Sequence, residues 1–162
     1  MTLQRNLMEC HQAIVEWAIQ ELVSKEYFVH DVPEIVLETP WSHVLRITTT
    51  RGAVYLKQTP ASTTFSLEPK VTQLLADKFH ASVPQVIAAH DELHCFLMED
   101  AGQSLRSYLK TEFQSDLMCQ SIQQYTSIQR ATERQVGSFI ALGRHSTCTV
   151  RASYRPNRFF KG

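Results

Sequence analysis

GAVYLKQTPASTTFSLEPKVTQLLADKF, residues 52–79, is the stretch on which the fold turns. GAVYLKQ alternates as a half-buried strand does, placing Tyr55 and Lys57 on one face and Val54 and Leu56 on the other. Pro60 closes that strand, and ASTTF (61–65) reads as a polar turn. SLEPKVTQLLADKF then sets Leu67, Val71, Leu74, Leu75 and Phe79 on one helical face. Pro69 is tolerated there because the first helical turn has no partner for the missing N–H. Glu68 stands in that first turn, 11 residues after Lys57, so a strand, a turn and a helix start bring a cation and a carboxylate within reach of each other. Each residue also has a plainer use. Lys57 on an edge strand would snorkel to water, and Glu68 would complement the helix dipole, worth about 0.3–1 kcal/mol.

Working outward, EIVLE lies between Pro33 and Pro40, and WSHVLRITTT is rich in β-branched residues. Arg51-Gly52 is a turn signal, so these two runs and GAVYLKQ are expected to pair as an antiparallel meander. Before them, residues 7–25 carry Leu7, Ile14, Val15, Ala18, Ile19, Leu22 and Val23 at helical spacing. After them, Val83-Pro84 ends the second helical unit, and QVIAAHDELHCFLMED reads as two strands around His90-Asp91-Glu92. FLMEDAG (96–102) is an apolar strand that stops in a short polar link. Its backbone N–H and C=O groups are suited to the edge of a flat heterocycle, or simply to an ordinary strand-to-helix loop. LRSYLKT is a short helix, and 115–142 read as two helices meeting near Ser127–Thr132. In TPWSH (39–43), Ser42 and nearby N–H groups are placed to meet a phosphate, although no glycine-rich cradle is present. The order predicts an α+β fold: a five-stranded antiparallel sheet, one helix packed on it, and a helical annex.

The 162 residues hold sixteen bases and sixteen acids, so no overall charge points to nucleic acid. The balance is uneven along the chain. Residues 144–162 contain Arg144, Arg151, Arg155, Arg158 and Lys161 and no acid, against a net −5 for residues 1–143. No apolar run is long enough for a membrane helix, and Glu9 and Glu16 interrupt any leader-like core, so a cytoplasmic location is expected. Cys10, Cys95, Cys119 and Cys148 are scattered with no C-x-x-C pair, as free thiols are. His90 and His94 flank a polar tip and read as solvated loop histidines rather than metal ligands.

VYLKQT, LEPKVTQLLADKF-HASVPQVIAA and FLMEDAGQSLRSYL, in that order, resemble the N-terminal lobe of the aminoglycoside phosphotransferase and choline-kinase-like family, which shares the protein-kinase-like fold. The likeness runs through about residues 35–110 and more loosely through 111–143. It implies a nucleotide-binding lobe at 1–101, a hinge with the first helices of a second lobe at 102–143, and a basic non-family tail at 144–162. It further implies that Lys57 contacts the phosphates of ATP and is held by Glu68, that Tyr55 stacks on adenine, and that Met98 precedes the hinge. The Glu99 C=O and Ala101 N–H would pair with the adenine edge, and Ser42 would approach the outer phosphates.

Phosphoryl transfer also needs a base for the acceptor hydroxyl and carboxylates for Mg²⁺. The family carries these in an H-G-D-x-H-x-x-N type loop and a D-x-D type strand; here Glu112, Asp116 and Glu133 form no such pattern, and Ser-Thr-Cys follows His145. The expectation is therefore a lobe of a small-molecule kinase that binds ATP weakly and is inactive alone. The missing lobe would take on the order of 100–150 further residues and would carry the small-molecule acceptor. A frameshifted or recombined end accounts for the basic tail on this view; a tail for an acidic partner is the competing one. The alternative function is a non-catalytic interaction module. In that case Leu117, Ile122, Tyr125, Ile128, Val136, Phe139 and Ile140 form an exposed apolar patch open to self-association.

Overall fold

The computed structural model of the chain describes residues 2–60 and 66–144. The expectations for the turn at 61–65 and for the tail beyond Arg144 lie outside these residues. Ten elements follow in the order α1 (Thr2–Ser24), β1 (Glu34–Thr39), β2 (Ser42–Thr49), β3 (Gly52–Gln58), α2 (Glu68–Phe79), β4 (Val86–His90), β5 (Cys95–Glu99), α3 (Leu105–Thr111), α4 (Ser115–Glu133) and α5 (Val136–Arg144). The fold is α+β, with all five strands in one open antiparallel sheet ordered β1-β2-β3-β5-β4.

β1, β2 and β3 form the expected meander. Its second turn is closed locally. Gly52 takes a φ of 112° that a side chain would resist, the Thr49 hydroxyl donates to the Gly52 C=O at 2.7 Å, and Arg51 N–H donates to the same hydroxyl at 3.2 Å. The chain then leaves the sheet through α2, and β4 returns at the far edge. β5 turns back to fill the gap beside β3, antiparallel to both neighbours. β3 is thus the central strand.

Alternation divides the sheet into two faces. On the first, Leu45, Ile47, Val54, Leu56, Cys95 and Leu97 meet Ile14, Ala18 and Leu22 of α1 in one buried cluster. The helix seated over the sheet is therefore α1, because its apolar stripe includes three residues with no exposed area. α2 touches the sheet at β4, and Pro69 is its only buried residue. α2 instead joins the annex. Phe79 stacks on Phe139 at 5.9 Å, and Lys78 Nζ donates to Gln135 Oε1 and Ser138 Oγ, each at 2.8 Å.

Two details depart from the expectations. α4 runs unbroken through Ser127–Thr132, and the chain turns at Arg134-Gln135 instead. Gln129, Arg130 and Ala131 favour helix and no Gly or Pro interrupts them, so nothing local ends the helix earlier. The β4–β5 histidines are also less solvated than expected: His90 ends β4, His94 lies in the turn, and both are half-buried. His90 meets Trp17 edge-on at 5.4 Å and accepts from Leu93 N–H, while His94 Nδ1 is sealed from solvent.

Candidate functional site

The second face of the sheet carries the polar chemistry. Lys57 stands on β3 between Val44 of β2 and Phe96 of β5, its direct neighbours in register. Both are buried, so the stem of Lys57 rises between apolar walls on a central strand rather than at an edge. The reading of Lys57 as a snorkelling edge residue fails on this register. Its ammonium meets the Glu68 carboxylate at 2.5 Å. α2 begins at Glu68 with no side-chain cap at Leu67, so the carboxylate serves both the lysine and the positive end of the helix. The side chains of Lys57 and Glu68 remain 22% and 35% exposed, enough for a ligand to reach them.

Tyr55 and Met98 are direct cross-strand neighbours on that same face. They form a half-buried platform one pleat along from Lys57, and a flat apolar ring suits such a surface. Ser42 shares the parity of Val44 and so the same face, at the start of β2. Its Oγ is buried without a hydrogen-bond partner, and it borders a depression of about 200 Å³ with Thr39, Pro40, His43, Gln58, Thr59 and Pro60.

The two link residues fall differently. Glu99 lies opposite Val54, so its side chain belongs to the α1 face, where its Oε1 accepts a long 3.4 Å hydrogen bond from the Tyr27 hydroxyl. Only its backbone remains for a ligand at the link. Ala101 is exposed, and its N–H has no partner among the described residues. Gly102, at φ 79°, donates to Asp100 Oδ1 at 2.8 Å, which turns the chain sharply toward α3. α3 is then started by Ser104, whose Oγ accepts from Ser107 N–H.

The structure thus brings Lys57, Glu68, Tyr55 and Met98 together on one face, with Ser42 at its end and Ala101 at the exit of β5. Reading the sequence alone overlooked Arg46. It lies opposite Tyr55 in register, is exposed, and makes no ion pair among the described residues. It shares Ser42's parity along β2, but only the β2–β3 register assigns that parity to the face of Lys57. Among the described residues no group of three or more His, Cys, Asp or Glu side chains is placed to hold a metal ion. Searches against family models, curated proteins and solved structures return no match to this chain.

Proposed function

We propose that this chain is the nucleotide-binding lobe of a small-molecule kinase of the aminoglycoside-phosphotransferase-like type, binding ATP through Lys57 and lacking catalysis alone. The observation that carries this reading is the Lys57–Glu68 pair at 2.5 Å on the central strand. A triphosphate concentrates several negative charges, and a lysine already oriented by a carboxylate meets them with little rearrangement. Arg46 adds a second cation to the same face. Tyr55 and Met98 offer the apolar surface that a purine ring needs, and the free Ala101 N–H offers a donor for its edge. No transfer step is assigned to this chain, because its sequence carries neither the H-G-D-x-H-x-x-N type loop nor the D-x-D type strand that supply the base and the Mg²⁺ carboxylates in that family.

Isothermal calorimetry of the full chain with ATP tests the reading. Lys57→Ala is expected to weaken ATP binding about tenfold, equivalent to about 1.4 kcal/mol. Unchanged binding in that variant would remove the site. A non-catalytic interaction module is the second reading. It is favoured by the exposure of Ile122, Tyr125, Val136 and Ile140 on the helical annex.

A further inference from the structure

The outer edge of β1 is uncovered among the described residues. β1 pairs only with β2, which leaves its outward N–H and C=O groups without a strand to bond. The same side of β2 is met further along by Phe28 and His30, whose backbones bond Thr50 and Thr48, so the edge extends from about residue 28 to 39. Large apolar side chains follow its whole length: Phe28, Val32, Ile35, Val36, Leu37 and Trp41 are 46–89% exposed. Natural edges are usually guarded by lysine, proline or a bulge. This one has Pro33 and a bulge between Ile35 and Leu37, but residues 26–45 contain no Lys or Arg. Its charges include Asp31, Glu34 and Glu38, and none of these three makes an ion pair among the described residues. The edge is therefore both acidic and apolar.

The chain carries the complement. Residues 145–162 contain Arg151, Arg155, Arg158 and Lys161 with Tyr154, Phe159 and Phe160, and no acid. Within them TVRASYR (149–155) has Thr, Val and Tyr among its residues and no Gly before Pro156, a composition compatible with a strand. The origin of this segment suits the edge as well. α5 ends at Arg144, and a Cβ on Gly143 would lie 3.9 Å from Leu67, beside the Glu68 that pairs with Lys57. Lys57 and the β1–β2 turn lie at the same end of the sheet, because His43 pairs with Gln58. A strand added outside β1 would lie three strand spacings from β3, about 14 Å, and five extended residues span up to about 17 Å. A segment arriving at the Thr39 end would run antiparallel to β1.

We propose that residues 149–155 add to β1 as a sixth, antiparallel strand of the same chain. The arginines lie against the acids of the edge, and Tyr154 lies against its aliphatic line. The acidic body and the basic tail are then two halves of one contact.

Hydrogen exchange of the β1 amides tests this in the full chain, in a chain stopped after Arg144, and in full-length Arg151→Glu/Arg155→Glu. The expected result is exchange at Ile35–Glu38 about tenfold slower in the full chain than in either variant, at every protein concentration. The charge-reversed chain keeps its full length, so it remains informative if the shortened chain does not fold. Equal exchange in all three proteins would overturn the proposal. So would protection that rises with protein concentration, which would assign the edge to a second copy.

Discussion

Lys57 leaves water only in part, with 22% of its side chain exposed against 35% for Glu68. A half-solvated ion pair gains modest Coulomb energy and loses side-chain freedom, so its net worth to folding is small. A double-mutant cycle of Lys57→Met and Glu68→Gln, followed by urea unfolding, is expected to give a coupling below about 1 kcal/mol. A coupling of several kcal/mol would mark the pair as a structural clamp and weaken its reading as a ligand site. Gly52 shows the opposite kind of residue. Its φ of 112° is demanded by the β2–β3 turn, which fixes the register that sets Tyr55 opposite Arg46 and Lys57 opposite Val44.

The two helices flanking the sheet differ in what they contribute. α1 inserts Ile14, Ala18 and Leu22, all without exposed area, into the cluster on the first face. α2 keeps Val71, Leu74, Leu75 and Phe79 only half-buried and leans on the annex through Phe79 and Lys78. Leu22→Ala is therefore expected to cost about 2–5 kcal/mol of stability, and Leu74→Ala clearly less, by urea or thermal unfolding. Equal losses would mean that α2 is as deeply packed as α1. The arrangement also leaves much of the second face open: α1 covers one side of the sheet, while on the other α2 contacts the edge strand β4 and its first residue, Glu68, reaches Lys57 on the central strand.

Across the whole molecule the burial is lopsided. The core lies between α1 and the sheet, while α3 and α4 have no buried residue. Along α4, Met118, Ile122 and Tyr125 recur at intervals of four and three and are 44–63% exposed. No helix among the described residues is long and apolar enough to cross a membrane. The nucleotide reading expects sedimentation as a monomer that binds ATP. Association that grows with concentration, is abolished by Ile122→Glu and ignores ATP would transfer the function to the interaction module. The anticipated apolar patch is present in part: Ile122, Tyr125, Val136 and Ile140 are exposed, whereas Leu117, Ile128 and Phe139 are half-buried.

Much of this was legible along the chain, because it depends on neighbours in sequence. Alternation in GAVYLKQ, helical spacing in residues 7–25, and the breaks at Arg51-Gly52 and Gly102 are local properties. Strands, helices and turns appear close to where these place them. The proximity of Lys57 and Glu68 was also readable, since only 11 residues separate them. Four facts were beyond local reading: that β3 is central, that α1 rather than α2 caps the core, that Arg46 shares the face of Lys57, and that the Glu99 side chain turns away from it. Each depends on which strand lies beside which and in what register. A pairing such as Tyr55 with Met98 joins residues 43 apart in the chain. The periodicity of one strand assigns its residues to two faces but does not say which face will meet a helix; packing makes that choice, by burying the more apolar side.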